Sequence, residues 1–222
     1  MSEGPVVICD PGVDDFLALL VLAGAGSSPS SVIGTGGNVA AELAYRNAVG
    51  TMALLTLNSG NLITEIVWMG GAVAGGGNMT PAAEFNAWLD PEASDRVLTS
   101  GVPLYMVPLD VTLQVPLTAD DLVAMAKLGK VASLAARACS HFHNRGSPMV
   151  PHDAIAAVAQ LHPELFQWEE HWVRCELNGR WTRGMTVVDR RRNGEQGSVR
   201  IALGVDSMAV KDTIFEALRS LT

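Results

Sequence analysis

Asp10, Asp14 and Asp15 fall within one stretch of six residues, directly after the apolar run Val6–Cys9. Like charges repel, and carboxylates near a buried segment are costly unless something cationic compensates. The three acids therefore either face solvent or share a cation. Asp10 ends the strand-like run, Pro11 and Gly12 turn the chain, and Asp15 lies one turn into the apolar segment that follows. Calcium takes about six to eight oxygen ligands, often bidentate carboxylates. The short turn can bring Asp10 and Asp15 around one such ion. Helix capping by solvated acids is the other reading of the same residues. The spacing is not that of an EF-hand, which needs alternating ligands and a distal Glu.

Two further stretches carry chemical groups. In "VPHDAIAA", His152 and Asp153 precede an apolar helix. They offer a fourth carboxylate for a metal beside an imidazole that titrates near neutral pH. Equally, Asp153 can cap the helix while His152 lies on the surface. In "GGAVAGGGNMTPAAEFNAW", the Gly-rich loop lacks the Gly-Lys-Ser/Thr of a phosphate-binding P-loop. Glu84, Phe85 and Asn86 follow it, a carboxylate, an aromatic face and an amide suited to a polyhydroxylated ligand. No Gly-x-Ser-x-Gly occurs to anchor a serine hydrolase.

The elements that must position these groups alternate between strand and helix. "VVIC", "SVIGTGG", "TEIVWMGGA" and "VPLYMVPLDV" read as strands. Helical patterns follow, over "DDFLALLVLAGAG", "AAELAYRNAVGTMALLTL", "LDPEASDRVLTSG", residues 118–142 as one long or two short helices, and "PHDAIAAVAQLHPELF". "HWVRCEL", "TRGMTVVD" and "VRIALGV" then arrive as successive strands before a terminal helix. This order predicts an α/β fold, an open and mostly parallel sheet with helices on both faces and an antiparallel C-terminal extension. Ligands of such sheets bind beyond the carboxyl ends of the strands. Asp10, Asn38, the loop at 70–77 and Asp110 all follow strands in that way. No repeat or linker interrupts the chain, which predicts one domain over residues 1–222.

Composition narrows the partners. Of 222 residues, 48% are apolar and 17% charged, enough apolar material for a large core. The formal net charge of −8 argues against nucleic acid, which needs a basic footprint. It suits a divalent cation or a neutral polar substrate. Cys9, Cys139 and Cys175 are odd in number and far apart, without a C-x-x-C, and are read as reduced thiols of a cytoplasmic protein. No signal-peptide pattern and no uninterrupted membrane span are expected.

Taken together, "CDPGVDDFLALL", "GNVAAELAYRNA", "VWMGGAVAGGGNMTPAAEFNAWLDPEA", "PHDAIAAVAQLHPELF" and "TRGMTVVDRR" occur in an order that resembles the inosine–uridine-preferring nucleoside hydrolase family. The resemblance implies hydrolysis of the N-glycosidic bond of a ribonucleoside to free base and ribose, using a calcium-bound water, in purine or pyrimidine salvage. It implies that Asp10, Asp15 and Asp153 bind Ca2+ and that Asp10 also takes the proton of the water. It implies that Asp14, Asn38, Asn78, Glu84 and Asn86 hold ribose hydroxyls, and that His152 assists the departing base. It further implies a homodimer or homotetramer.

The chain departs from the family pattern at two places. Ile8 stands where the family usually has Asp. A block of several tens of residues, with a threonine carbonyl that completes the calcium shell and a central strand, is expected to be missing near residues 57–63. A catalytically impaired ribose- or nucleoside-binding relative, or a structural one, is therefore the alternative function.

Overall fold

The computed structural model describes residues 4–10, 12–34, 64–143, 149–191, 193–195, 197 and 199–221. In chain order the elements are β1 (Val6–Cys9), α1 (Val13–Gly24), β2 (Ser31–Gly34), β3 (Ile66–Met69), α2 (Phe85–Leu89), α3 (Pro91–Leu98), β4 (Leu104–Val107), α4 (Leu109–Thr112), α5 (Ala119–Ala126), α6 (Lys130–His143), α7 (His152–Leu161), a 3-10 turn (Pro163–Leu165), β5 (Phe166–Cys175), β6 (Thr186–Asp189), β7 (Val199–Val205) and α8 (Ser207–Ser220). The helix expected over "AAELAYRNAVGTMALLTL", Asn38, and the junction expected near residues 57–63 lie outside the described residues. The chain divides into two compact units. One comprises Met1–Gly34, Thr112–Phe166 and Val205–Thr222, the other Thr35–Val111 and Gln167–Gly204.

In the first unit β1 and β2 pair in parallel, from Val6 opposite Ser31 to Cys9 opposite Gly34. Between them α1 buries Leu17, Ala18, Val21 and Leu22, a spacing that places all four on one helical face. That face packs on α7 and α8, whose own buried faces are Ala154, Ile155, Ala157 and Val158, and Val210, Ile214, Ala217 and Leu218. The end of α1 lies so close to α8 that a Cβ at Gly24 would come within 2.0 Å of the Ala217 carbonyl oxygen. Only a glycine fits there. The Ser220 hydroxyl donates to the Gly24 carbonyl at 2.6 Å. The tight α1–α7 contact matters for function, because the first turn of each helix carries acids.

The second unit holds a five-stranded sheet in the order β3-β4-β7-β5-β6. β3–β4 and β4–β7 are parallel, and β5–β6 is antiparallel. The expected antiparallel extension is seen in the β5–β6 pair. β7, the last of the expected extension strands, is inserted between β4 and β5 and runs parallel to β4. Leu104, Met106, Val173, Cys175, Val199 and Ile201 form a core on this sheet, joined by Leu98 of α3. The pattern "VPLYMVPLDV" does not continue as strand past Val107. Pro108 follows, and the helical turn α4 begins at Leu109.

An ion pair between a buried carboxylate and a half-exposed guanidinium fastens α3 to β5. Asp95 is 7% exposed and accepts from Arg174 Nε and Nη2, both at 2.6 Å, and from the Cys175 amide at 3.0 Å. Its hydrogen bonds to the Arg174 guanidinium hold the Asp95 carboxyl below the usual carboxylate range. A depressed folded-state pKa adds stability above the unfolded value and loses it as pH falls through the folded one. Asp95→Ala is expected to lower the melting temperature by several degrees at pH 7. The gap to the parent chain should shrink below about pH 4, where the parent loses the pair as well. A gap of the same size at pH 3 and pH 7 in thermal melts would show that packing, not pairing, sets it.

Candidate functional site

Asp10 leaves the end of β1, and the Gly12 turn starts α1 with Asp14 and Asp15 in its first turn. The Gly12 amide donates to Asp15 Oδ2 at 2.8 Å, which fixes the entry of the helix. Asp153 occupies the first turn of α7, next to His152. Two helix N-termini, each the positive end of its backbone dipole, thus present their acids to one place. One carboxylate oxygen from each of Asp14, Asp15 and Asp153 lies within 4.8 Å of the others. Asp10 belongs to the same crowd, since its carboxyl and that of Asp15 shift each other's proton affinity.

The electrostatics follow from this crowding. Burial, and then the charges of Asp10 and Asp14, push Asp15 up to about 6. Burial, and then Asp14 and Asp15, push Asp153 up to about 9. Asp10 is raised as well, by burial and by Asp14. Carboxyls crowded within 4.8 Å cannot all be ionised without cost, so protons are retained wherever no cation compensates. Hard oxygen donors from several carboxylates are the ligand set of calcium or magnesium. The residues present therefore fit a divalent cation. Of the acids expected to bind it, Asp15 and Asp153 are in the close group, and Asp10 is not among its three members, though its charge raises the proton affinity of both. Asp14, expected to hold a hydroxyl, stands in the close group itself.

His152 Nδ1 lies 2.7 Å from Oγ1 of Thr112, a fully buried hydroxyl that the sequence reading did not single out. Burial lowers the pKa of His152, so the ring is neutral at neutral pH. Thr112 directly follows the quoted "VPLYMVPLDV" stretch, but its partner is 40 residues away in the chain.

In the second unit, the residues expected to grip hydroxyls are bound to their own backbone. Glu84 is 2% exposed and caps α2, accepting from Asn86 N at 2.9 Å and Ala87 N at 3.1 Å. It also accepts from Gly71 N at 2.7 Å. Asn78 Oδ1 accepts from Phe85 N at 2.9 Å, and Asn86 Nδ2 donates to the Met69 carbonyl at 3.0 Å. Glu84, Asn78 and Asn86 are thereby brought together where β3 gives way to α2. Gly71 has φ +72°, and a Cβ there would approach Met106 Cε at 2.5 Å and Thr186 Cγ2 at 2.7 Å. Gly71→Ala combines a left-handed backbone with this overlap. It is expected to cost about 2 kcal/mol or more, read as a lower urea midpoint with an unchanged slope. A midpoint within error of the parent would contradict the backbone conformation described.

The family model for inosine-uridine preferring nucleoside hydrolase matches residues 57–212, more than half of the chain. The chain is also 38% identical over 168 residues to the pyrimidine-specific ribonucleoside hydrolase RihA of Shewanella baltica, an alignment covering 71% of this chain and 52% of that protein. It is thus a member of the inosine-uridine preferring nucleoside hydrolase family. It spans about half the length of the curated relatives it matches. Among solved structures, it superposes on an inosine-guanosine nucleoside hydrolase with a TM-score of 0.81 at 17% identity, covering 97% of this chain and 99% of that one. The purine-preferring ribonucleoside hydrolase from Gardnerella vaginalis gives 0.75 at 20% identity, with 98% of both chains covered. At these identities the structures establish the α/β fold.

Proposed function

We propose that the chain hydrolyses the N-glycosidic bond of ribonucleosides, releasing free base and ribose, with a calcium ion held by Asp10, Asp15 and Asp153. The observation that carries this reading is the close carboxylate group of Asp14, Asp15 and Asp153. Asp15 and Asp153 in that group have raised proton affinities, which mark a site built to be neutralised by a cation. When bound, the ion supplies Lewis acidity toward water. Asp10 accepts the proton that the attacking water gives up. The reaction builds positive charge on the sugar, as other glycosidic cleavages do, and the acids favour that charge. Asp14, Asn38, Asn78, Glu84 and Asn86 bind ribose hydroxyls and orient the sugar. With Thr112 donating to Nδ1, the ring proton of His152 sits on Nε2 and hydrogen-bonds the departing base.

The family model runs across residues of both compact units, which supports one functional domain over the chain. A cytoplasmic homo-oligomer acting in nucleoside salvage completes the proposal, on the strength of the family resemblance and the three free thiols. No described helix is long and apolar enough to cross a membrane.

The test is to incubate purified chain with uridine or inosine and follow reducing sugar, with calcium and with chelator. Calcium-dependent ribose release is the expected result. A folded sample that is stabilised by nucleoside but releases no ribose would replace hydrolysis with binding.

A further inference from the structure

The loop between β3 and α2 has an unusual hydrogen-bond inventory. Five consecutive backbone amides each donate to a side chain rather than to the backbone. Gly71 N gives to Glu84, and Ala72 N to Thr186 Oγ1 at 2.9 Å. Val73 N, Ala74 N and Gly75 N give to the Asp110 carboxylate at 2.7, 2.9 and 2.6 Å. The Thr186 hydroxyl, 2% exposed, also donates back to the Ala72 carbonyl at 2.5 Å. A Cβ at Gly75 would stand 3.2 Å from Asp110 Oδ1, so the glycine allows the carboxylate its close approach.

We propose that Asp110 and Thr186 are positioning residues for ribose recognition, locking the 71–75 backbone so that Glu84, Asn78 and Asn86 keep a preset arrangement. The inference rests on the hydroxyl-binding role given above to those three residues. Its physical basis is the chain of bonds between them. Glu84 holds Gly71 with one oxygen and caps α2 with both, so a shift of the loop moves Glu84 and the helix start that carries Asn86. Asn86 is tied to the last residue of β3 through the Met69 carbonyl, and Asn78 to α2 through Phe85 N. A Gly-rich segment left to itself loses more conformational freedom on ordering than any other. Asp110 and Thr186 remove that freedom before ligand arrives, so binding need not supply the ordering free energy. Asp110 does this as a charged acceptor of three amides, and such bonds are about twice as strong as neutral ones.

The variants Asp110→Asn, Thr186→Val and Thr186→Ser test this, read by D-ribose titration calorimetry and by kcat and KM for the preferred nucleoside. Asp110→Asn and Thr186→Val should raise the ribose Kd and KM roughly tenfold. kcat should stay within a few-fold and calcium affinity should not change. Amide hydrogen exchange at residues 72–75 should accelerate in both. Thr186→Ser keeps the hydroxyl and should restore Kd and KM. Faster exchange or a lower melting temperature with Kd and KM unmoved would reduce both residues to structural supports and overturn the proposal. A parent chain that binds D-ribose without turnover, with variants that bind it more weakly, sinks hydrolysis but supports the positioning role. A parent chain that neither binds nor turns over removes both.

Discussion

Asp10→Asn is expected to lower ribose release by about 10²–10⁴-fold, the range a lost general base commands, with no loss of melting temperature. The two halves of this result have one origin. Asp10 sits in a cluster where burial and the Asp14 charge already disfavour its ionisation. An asparagine keeps the shape, and one oxygen, but removes a negative charge from the crowd. The repulsion among Asp14, Asp15 and Asp153 is therefore no worse without Asp10's charge. Catalysis has the opposite requirement. The acceptor of a water proton must be able to hold it, and an amide cannot. A cation bound to the neighbouring carboxylates restores the basic form of Asp10 by offsetting their charge. The effect should accordingly fall on kcat, measured by reducing-sugar assay at saturating nucleoside, with KM changed far less. A variant that keeps kcat within tenfold of the parent would remove Asp10 from the proton-accepting role. A variant that fails to fold would contradict the electrostatic account.

Much of this site was legible before any coordinate, but unevenly. Asp10, Asp14, Asp15 and Asp153 are local signals. Each lies at a strand end or in the first turn of an apolar helix, and periodicity marks those places. That α1 and α7 start side by side is a packing choice between helices far apart in the chain, and the pattern shows only that each has an apolar face. The direction of each carboxylate after the turn is not encoded by spacing. Asp14 rather than Asp10 is consequently found in the close group with Asp15 and Asp153. Glu84 was readable as a carboxylate beside an aromatic and an amide, but not as the cap of α2, a five-residue helix too short to show a period. Its third backbone donor, Gly71, lies 13 residues back across a loop and carries no sequence mark. Thr186 meets Ala72 over 114 residues, and Asp110 meets the loop over 35 to 37. Such partners are fixed by sheet order, and the insertion of β7 beside β4 is a non-local choice. The short α4 was read as strand because an apolar run broken by proline has no clear period.

Raising the pH from about 5 to 9 is expected to lower the melting temperature of the chelator-treated chain, and calcium is expected to reverse the loss. The sign comes from linkage. The folded-state pKa values of Asp15 and Asp153 lie above their unfolded values, at about 6 and about 9. The folded state therefore keeps protons that the unfolded chain releases. Their stabilising effect is complete below the unfolded pKa near 4 and is lost as pH passes first the Asp15 and then the Asp153 value. The window is favourable, because Asp95 and Asp121, with depressed values, have delivered their stability by about pH 5. His152 runs the other way. Burial lowers its pKa, so the unfolded chain takes up a proton that the folded one refuses, and stability rises through about pH 6.5. Asp153→Asn separates the two. It should abolish the decline between pH 7 and 9 and leave the His152 contribution in place. Calcium substitutes for the missing protons, so its stabilisation should grow with pH. At a hundredfold excess over Kd it should amount to about 2.7 kcal/mol. Thermal melts at pH 5, 7 and 9, with chelator and with calcium, provide the measurement. A chelated chain whose melting temperature is flat across that range, or a calcium shift as large at pH 5 as at pH 9, would mean that the acids of α1 and α7 do not share their charge through protons and metal.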